Sequence, residues 1–207
     1  MNGLKSEVFR YLGRKGQAVS DELDGMVSES ISLMRDTVKP MHVQARFTAN
    51  SEYVQRLELP GYLKNCSEIV IFAATLGTAA DTLIQKWKYI DLTRALVLDA
   101  CATAIIEEYC DKIERDVCEK AYESGLMASR RISPGYGDFK LESGAKILFM
   151  LKGDRTIGLT CTDSHIMLPR KSVTAVIGLG QGLSREQAGK KCENCNMRST
   201  CNYGEGH

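Results

Sequence analysis

The segment EIVIFAAT (residues 68–75) is a continuous apolar run bounded by turn residues, and it predicts a strand in the interior of a sheet. Upstream of it, Met41–Thr48 alternates between apolar and polar side chains, which predicts a half-buried strand. Weaker strand patterns occur at four other places: Tyr53–Leu59, Met127–Ile132, Thr156–Thr162 and Ser172–Gly178.

Helical segments with apolar positions at 3.6-residue spacing separate these strands. Ser20 is a good N-cap for a helix that Pro40 closes. Asp81, three residues after Thr78, indicates an approximate capping box. Further helices are predicted at Lys5–Leu12 and from Ser184 onward.

The longest predicted helix begins near Asp91 and ends near Tyr122, and another covers Leu141–Lys152 with Gly153 as its C-terminal stop. The expected buried stripe of the long helix is Leu92, Leu96, Ala102, Ile106, Tyr109, Ile113 and Val117. Because the element order is neither a βαβ alternation nor all-helical, we expect an α+β fold with a mainly antiparallel twisted sheet and several helices.

Composition excludes several classes of protein. The chain has 207 residues and is 43% hydrophobic, which is enough for one good-sized core. Lys and Arg number 27 against 26 Asp and Glu, so the basic excess of a nucleic-acid-binding protein is missing. No apolar run approaches a membrane span, and the N-terminus lacks the apolar core of a signal peptide, so we expect a cytoplasmic protein without a membrane partner.

The stretch RISPGYGD (residues 131–138) carries most of the functional information. Pro134 fixes one backbone angle and Gly135 lacks a side chain, so the main chain can turn tightly and approach a ligand closely. Arg131 can hold a carboxylate through two parallel hydrogen bonds, and the ring face of Tyr136 can attract a cation such as a sulfonium. This set suits a zwitterionic, cationic amino-acid ligand such as S-adenosylmethionine (AdoMet). The alternative interpretation is a structural Pro-Gly turn beside a surface arginine.

The motif Arg-x-x-Pro-Gly-Tyr resembles the AdoMet-binding signature of the activation (reactivation) domain of cobalamin (vitamin B12)-dependent methionine synthase. The resemblance implies an AdoMet site lined by Arg131, Ser133, Gly135 and Tyr136. The helix around residues 98–107 resembles the family helix that supplies an acidic AdoMet contact. That contact is assigned to Glu107, whose alternative is an exposed helix glutamate, and Asp99 is the reserve candidate.

Two downstream segments resemble the same family, in the right order: Thr162–Ser164 with Met167–Pro169, and Ser172–Thr174. The resemblance is closer to free-standing relatives of the domain, whose N-terminal Arg-Tyr-Leu-Gly is matched by Arg10–Gly13. It implies an AdoMet-binding module over residues 1–185 and a Cys-rich tail over residues 186–207. One departure is that the tyrosine which touches AdoMet in the large enzymes has no aromatic counterpart in residues 177–182.

The tail contains Cys192, Cys195 and Cys201, and such a cluster near a chain end favours a metal site. An iron–sulfur cluster with a fourth ligand from elsewhere and zinc with His207 are both compatible with this spacing, and free thiols are the alternative. The other five cysteines are expected to be small apolar fillers without disulfides.

The resemblance implies a component of a split methyltransferase, cobalamin-dependent methionine synthase, in which cob(II)alamin on a partner protein accepts an electron and the methyl group of AdoMet. The expected partners are the cobalamin-binding core and an electron donor, with an iron–sulfur or zinc tail as a further cofactor. The alternatives are a non-enzymatic AdoMet- or corrinoid-binding module, an activator of another corrinoid methyltransferase, and an iron–sulfur electron carrier whose AdoMet site has decayed.

Overall fold

The structure is a computed structural model, and it describes residues 3–14, 17–181 and 183. The first half of the chain contains α1 (Gly3–Tyr11), α2 (Asp21–Thr37), β1 (Met41–Thr48), α3 (Glu52–Gln55), a 3-10 turn (Gly61–Leu63), β2 (Glu68–Thr75) and α4 (Thr78–Lys88). The second half contains α5 (Leu92–Glu123), β3 (Met127–Ala128), α6 (Ser143–Leu151), α7 (Gly153–Thr156), β4 (Thr160–Cys161), β5 (Met167–Leu168) and β6 (Ser172–Gly180).

A four-stranded antiparallel sheet in the order β1-β2-β6-β3 forms the centre of the fold, and β4 and β5 form a separate antiparallel pair. The apolar run of β2 is an interior strand, because Ile71 pairs with Ala45 of β1 on one side and with Val176 of β6 on the other. The predicted α+β fold with a mainly antiparallel sheet is therefore confirmed.

The two faces of the sheet belong to two hydrophobic cores. Along β2, Val70 and Phe72 point into a first core formed with α5, on which α1, α2 and α4 pack. Ile69 and Ile71 point to the opposite face, into a second core that includes α6. This alternation is the period of two that a strand buried on both faces requires.

Two predicted helix starts are confirmed by their hydrogen bonds. The Ser20 hydroxyl accepts the backbone N–H of Leu23 at 3.3 Å, and the Asp91 carboxylate accepts the N–H of Arg94 at 3.1 Å. Each cap satisfies one of the backbone donors that a helix leaves without a partner at its first turn.

The predicted strand Tyr53–Leu59 is wrong. Ser51 caps the short helix α3 by accepting the N–H of Val54, and the chain then turns. Val54 and Leu57 are both buried in the second core. These two buried positions are three residues apart, which fits one turn of a helix rather than the alternation of a strand.

The capping box at Thr78 is also wrong. Helix α4 begins after Gly77, whose φ is +76°, and the Asp81 carboxylate instead accepts the backbone N–H of Arg170 at 2.8 Å. Asp81 therefore anchors the segment that leads into β6.

Gly153 is not the C-terminal stop of α6. Lys152 takes the left-handed conformation that ends this helix, with φ at +51°, and Gly153 begins α7. Gly153 is needed for space, because a Cβ there would lie 3.0 Å from Leu148 Cδ2 and 3.1 Å from the carbonyl oxygen of Leu159.

The predicted stripe of α5 is wrong at its N-terminal end, where Leu92 and Leu96 are 62% and 59% exposed. Ala95 and Leu98 are buried instead, because they continue the helical face on which Ala102 and Ile113 lie. Among the described residues, no helix is long and apolar enough to cross a membrane.

The strand predicted at Met127–Ile132 is interrupted by a bulge. Ala128 pairs with Leu179, and Ile132 pairs with Val176. The segment from Ala128 to Ile132 therefore has one residue more than the stretch of β6 that it faces, which defines a bulge. The Ser129 hydroxyl accepts the N–H of Gly178 at 2.9 Å in place of a backbone carbonyl.

The strand predicted at Thr156–Thr162 is reduced to the two residues of β4. Its first part is occupied by α7, in which Thr156 and Ile157 donate backbone hydrogen bonds to Lys152 and Gly153. The helix predicted from Ser184 and the boundary predicted at residues 185 and 186 lie outside the described residues.

Candidate functional site

The predicted ligand-binding turn follows the bulge and closes on itself. The Gly135 N–H donates to the Phe139 carbonyl at 2.7 Å, and the Tyr136 N–H donates to the Ser133 carbonyl at 3.3 Å. Gly135 has φ at +95°, which a side chain would strain, and Phe139 is 1% exposed in the second core. The turn is thus a fixed loop whose tip lies at the surface.

The bulge directs Arg131 towards α5, on the opposite face of the sheet from Ile132, which packs in the second core. The Arg131 side chain is only 5% exposed. Its Nη2 donates to Glu107 Oε2 at 2.9 Å and to Asp111 Oδ1 at 2.5 Å. Its Nε lies 3.2 Å from Glu114 Oε2, and Glu114 Oε1 also accepts the Arg131 backbone N–H at 3.4 Å.

Three carboxylates therefore surround one buried guanidinium. Burial alone would lower the pKa of Arg131, but the charge of Glu107 and the hydrogen bond that Arg131 donates to Asp111 raise it above the ordinary value, so the guanidinium stays protonated. Two negative charges are left over within this group. We call Arg131, Glu107, Asp111 and Glu114 the acidic arginine cluster.

One end of the Arg131 guanidinium is not bound by the part of the chain that the structure describes. No hydrogen bond to Nη1 is formed by the residues that the structure describes, and the buried Nε meets Glu114 without hydrogen-bond geometry. Glu107 is 35% exposed and Asp111 is 51% exposed, so the cluster is open to solvent on that side of α5. A ligand oxygen is the group that Nη1 is suited to receive.

Tyr11, at the end of α1, is a neighbour of the cluster that sequence reasoning did not assign. Burial raises the pKa of Tyr11, and the nearby charge of Glu107 raises it further. The Arg10 guanidinium lies over the Tyr11 ring, 4.3 Å from its centroid, in a cation–π contact. The match of Arg10–Gly13 to the free-standing relatives was the available signal.

The predicted site residues fall into two groups. Arg131 and Glu107 are in direct contact, as a shared ligand would require. Ser133 is half-buried in the turn, and Tyr136 is 57% exposed at its tip. Among the described residues, the hydrogen bonds and ion pairs of the Arg131 guanidinium come only from α5, so the turn adjoins this network without joining it.

The reserve candidate Asp99 lies elsewhere on α5. Lys171 Nζ binds Asp99 Oδ2 at 2.9 Å and the Thr103 hydroxyl at 2.9 Å. This bond ties the start of β6 to α5. Of the two acidic candidates, Glu107 is thus the one beside Arg131.

The downstream motif meets the turn at the start of α6. A Cβ built on Gly144 would lie 3.4 Å from Thr174 Oγ1 and 3.9 Å from Pro134 Cβ. Pro134 of the turn and Thr174 of β6 therefore both lie against the same helix at Gly144. The position of the missing family tyrosine falls in β6, where Ile177 and Leu179 are buried in the first core.

The cavities of the described residues include one that lies away from the acidic arginine cluster. A cleft of about 360 Å³ is lined by residues that include Arg35, Pro40, Tyr109 and Lys112, on the side of α5 that faces α2 and β1.

No group of three or more His, Cys, Asp or Glu side chains among the described residues could hold a metal ion. Cys192, Cys195 and Cys201, the predicted metal ligands, lie outside the described residues. Cys66, Cys101 and Cys110 are buried and form no disulfide among the described residues, as expected of apolar fillers.

No protein-family model and no curated protein matches this chain. Solved structures do match it. One is described as a crystal structure of the MetH reactivation domain bound to AdoHcy (S-adenosylhomocysteine). It is similar with a TM-score of 0.62 and 17% sequence identity, over 79% of this chain and 67% of that chain. The resemblance that the sequence motifs indicated is thereby confirmed at the level of the fold.

Proposed function

We propose that this chain binds AdoMet and acts as the reactivation component of a split cobalamin-dependent methionine synthase. The observation that carries the proposal is the buried Arg131, held against Glu107 next to the Gly135 turn in a reactivation-domain fold, with no hydrogen bond from Nη1 to the described residues. The partner protein would hold the cobalamin.

The proposed reaction is reductive methylation. Cob(II)alamin takes one electron from a donor to give cob(I)alamin, which attacks the methyl carbon of AdoMet. A cobalt–carbon bond forms and the carbon–sulfur bond breaks with its electron pair kept by sulfur, so AdoHcy leaves as a neutral thioether. The corrinoid supplies the reactivity, and this chain would supply binding and orientation.

Each proposed contact is assigned to a named group of this site. Arg131 Nη1 would donate to the AdoMet carboxylate, and Glu107 would accept from its ammonium group. Because Nη2 and Nε are engaged by α5, Arg131 offers one terminal nitrogen rather than the two parallel hydrogen bonds that its sequence suggested. Gly135 would let the main chain approach the ligand, and the exposed ring of Tyr136 would face the sulfonium.

The openness of this surface supports transfer to a partner. A corrinoid must reach the methyl group directly, so a ligand enclosed within this chain could not react. The ligand is expected to lie between the turn and the partner's corrinoid.

The test of binding is calorimetric titration of the full chain with AdoMet. Arg131→Ala would leave three carboxylates without their counter-charge, so Arg131→Lys is the better variant, since it keeps the charge and loses the planar fork. Tyr136→Leu removes the exposed ring, and Tyr89→Leu is its control, since Tyr89 is 90% exposed at the end of α4. We expect binding by the wild type and the control, and at least tenfold weaker binding by the other two variants. Equal binding by all four proteins would contradict the proposed site.

The test of function is methyl transfer. The chain is mixed anaerobically with a cob(II)alamin-loaded methionine synthase core, AdoMet and a one-electron reductant, and the absorbance of methylcobalamin is followed. AdoMet binding without methylcobalamin formation would support the second candidate, a non-enzymatic binding module. The observation that favours this candidate is the burial of β6 where the large enzymes carry their AdoMet-contacting tyrosine.

We further propose that residues 1–185 form the AdoMet-binding module and that Cys192, Cys195 and Cys201 hold a metal that serves electron delivery. Metal analysis of anaerobically purified protein and of a triple Cys→Ser variant tests this. Iron with acid-labile sulfide, lost in the variant, is the expected result. Zinc without iron would exclude the electron-transfer role.

A further inference from the structure

We propose that the acidic arginine cluster makes the site select the sulfonium cation of AdoMet over the neutral thioether AdoHcy, with Asp111 and Glu114 as the specificity-determining residues. This inference rests on the proposed function and deepens it. It assigns a role to two acids that no sequence motif singled out.

The first step concerns placement. Glu107, Asp111 and Glu114 are spaced by four and three residues on α5, which puts their side chains on one face of the helix. All three lie within 3.2 Å of the Arg131 guanidinium. Arg10, over the neighbouring Tyr11 ring, is paired with Glu7, so its charge is already compensated.

The second step concerns what the fold requires. One carboxylate neutralises a buried guanidinium, and a second can accept further hydrogen bonds from it; Arg35 and Arg94 each form an ion pair with a single acid. A third acid is surplus to that role, yet Nη1 still has no hydrogen-bond partner among the described residues. Extra negative charge beside the Nη1 donor of Arg131 suits a ligand that has one carboxylate and more than one positively charged group.

The third step concerns the ligands. AdoMet carries a carboxylate, an ammonium and a sulfonium, so its net charge is positive, whereas AdoHcy has lost the sulfonium charge and is neutral overall. The two excess negative charges of the cluster therefore attract the reactant and leave the product unaffected to first order. A unit charge at about 8 Å in nearly water-like surroundings changes affinity by roughly two- to threefold, so two of them give a preference of roughly sixfold.

The same charge difference affects how tightly the ligand is held as the reaction proceeds. Transfer of the methyl group to the corrinoid removes the sulfonium charge while the ligand is bound. The cluster then holds the product less tightly than the reactant, which favours release of AdoHcy.

The experiment is a set of titrations of the full chain with AdoMet, AdoHcy and sinefungin, an analogue that carries an amine in place of the methylsulfonium. The variants are Asp111→Asn and Glu114→Gln, which remove charge and keep the side-chain shape. Glu52→Gln is the matched control, since Glu52 forms an exposed ion pair with Arg56 on α3, on the other face of the sheet.

We expect the wild type and the control to bind AdoMet and sinefungin roughly sixfold more tightly than AdoHcy, and each cluster variant to lose roughly two- to threefold of that preference. The preference should shrink in 1 M salt, where the screening length is about 3 Å. A purely structural role for the acids would weaken all three ligands equally and leave the ratio unchanged.

The outcomes separate the two proposals. Equal affinity of the wild type for AdoMet and AdoHcy, or variants with an unaltered ratio, would overturn the inference while the proposed AdoMet site stands. Failure of the wild type to bind any of the three ligands would overturn the proposed function and this inference with it.

Discussion

Gly178, in the middle of β6, leaves the space that the loop before β2 fills. A Cβ built on Gly178 would lie 2.3 Å from Cys66 Sγ and 2.7 Å from Leu63 Cδ2. Both neighbours are buried, Leu63 at 0% and Cys66 at 5% exposed, so neither can move into solvent without opening the second core. Gly178→Ala is therefore an overpacking substitution.

The expected cost follows from these distances. Overpacking of a filled core costs about 1–3 kcal/mol of unfolding free energy, and an overlap of this size with two buried groups predicts a value near the upper end. Cys66→Ala alone removes one buried sulfur and should cost about 1 kcal/mol.

The double variant is predicted to lose less unfolding free energy than the sum of the losses of the two single variants. With Sγ gone, the nearest atom of residue 66 is its Cβ, 3.4 Å from the new methyl group, which is tolerable. The end of the flexible Leu63 side chain can then rotate into the space that the sulfur left. We expect Gly178→Ala with Cys66→Ala to cost about 1 kcal/mol, a coupling of about 3 kcal/mol.

The assay is equilibrium unfolding in urea, followed by far-ultraviolet circular dichroism, for the wild type, both single variants and the double variant. The slope of free energy against urea should be the same in all four, which permits direct comparison. Additivity of the two single effects to within about 0.5 kcal/mol would refute the argument, since it would mean that Gly178 and Cys66 are not in contact.

Three other properties of the described chain are open to direct measurement. Burial lowers the pKa of His42 in the folded protein below 6.5, so the unfolded chain binds more protons. The stability that neutral His42 allows is complete above pH 6.5 and is lost as the pH falls through the folded-state pKa. A folded-state pKa at or above 6.5 in an NMR titration of His42 would contradict this. Asp91→Ala removes the cap that accepts from Arg94 and should cost about 1 kcal/mol in urea unfolding, whereas Asp91→Ser should restore most of it; equal loss in both would argue against a capping role. Burial raises the pKa of Cys101 to about 12, so peptide mapping after iodoacetamide at pH 8 should find Cys101 unmodified and the half-exposed Cys161 at least partly modified; labelling of Cys101 at the rate of Cys161 would show that this part of α5 opens.

Much of the fold was predictable because its strongest signals are periodic. Both Met41–Thr48 and Glu68–Thr75 have the predicted bounds, since an alternating run and an all-apolar run correspond to an edge strand and an interior strand. Asp91 and Ser20 were recognisable because capping depends on a local side chain and the next three residues.

The errors have a different origin, in contacts between distant segments. Asp81 lies at capping-box spacing from Thr78 but binds the N–H of Arg170, 89 residues away, which no local pattern contains. The end of α6 was predicted to require Gly153 for its backbone angles. Lys152 takes that conformation instead, and Gly153 is kept small by the closeness of Leu148 and Leu159.

Of the predicted site residues, Arg131 and Glu107 were brought together, and this pair was inferred from resemblance rather than from spacing. Asp111 and Glu114 were missed, although they lie four and seven residues after Glu107 on the same helix. A row of acidic residues on one helix face, taken alone, predicts a solvent-exposed surface. The residue that these acids bind, Arg131, lies beyond the end of the helix in the sequence. A search for acidic residues spaced by three or four on a helix, as partners for the arginine of the Arg-x-x-Pro-Gly-Tyr motif, would have found them.

The bulge between Ala128 and Ile132 decides which face of the sheet carries the proposed site. Side chains alternate along a strand, so with regular pairing Ile132 would share the face of Ala128, which lies in the first core with α5. The one extra residue reverses this, placing Ile132 in the second core and Arg131 against the acids of α5. Ser129 holds the bulge in place by accepting the N–H of Gly178. The Arg-x-x-Pro-Gly-Tyr spacing is thus set by two constraints at once: the arginine must leave the strand on the α5 side, and the turn must close over the second core through Phe139.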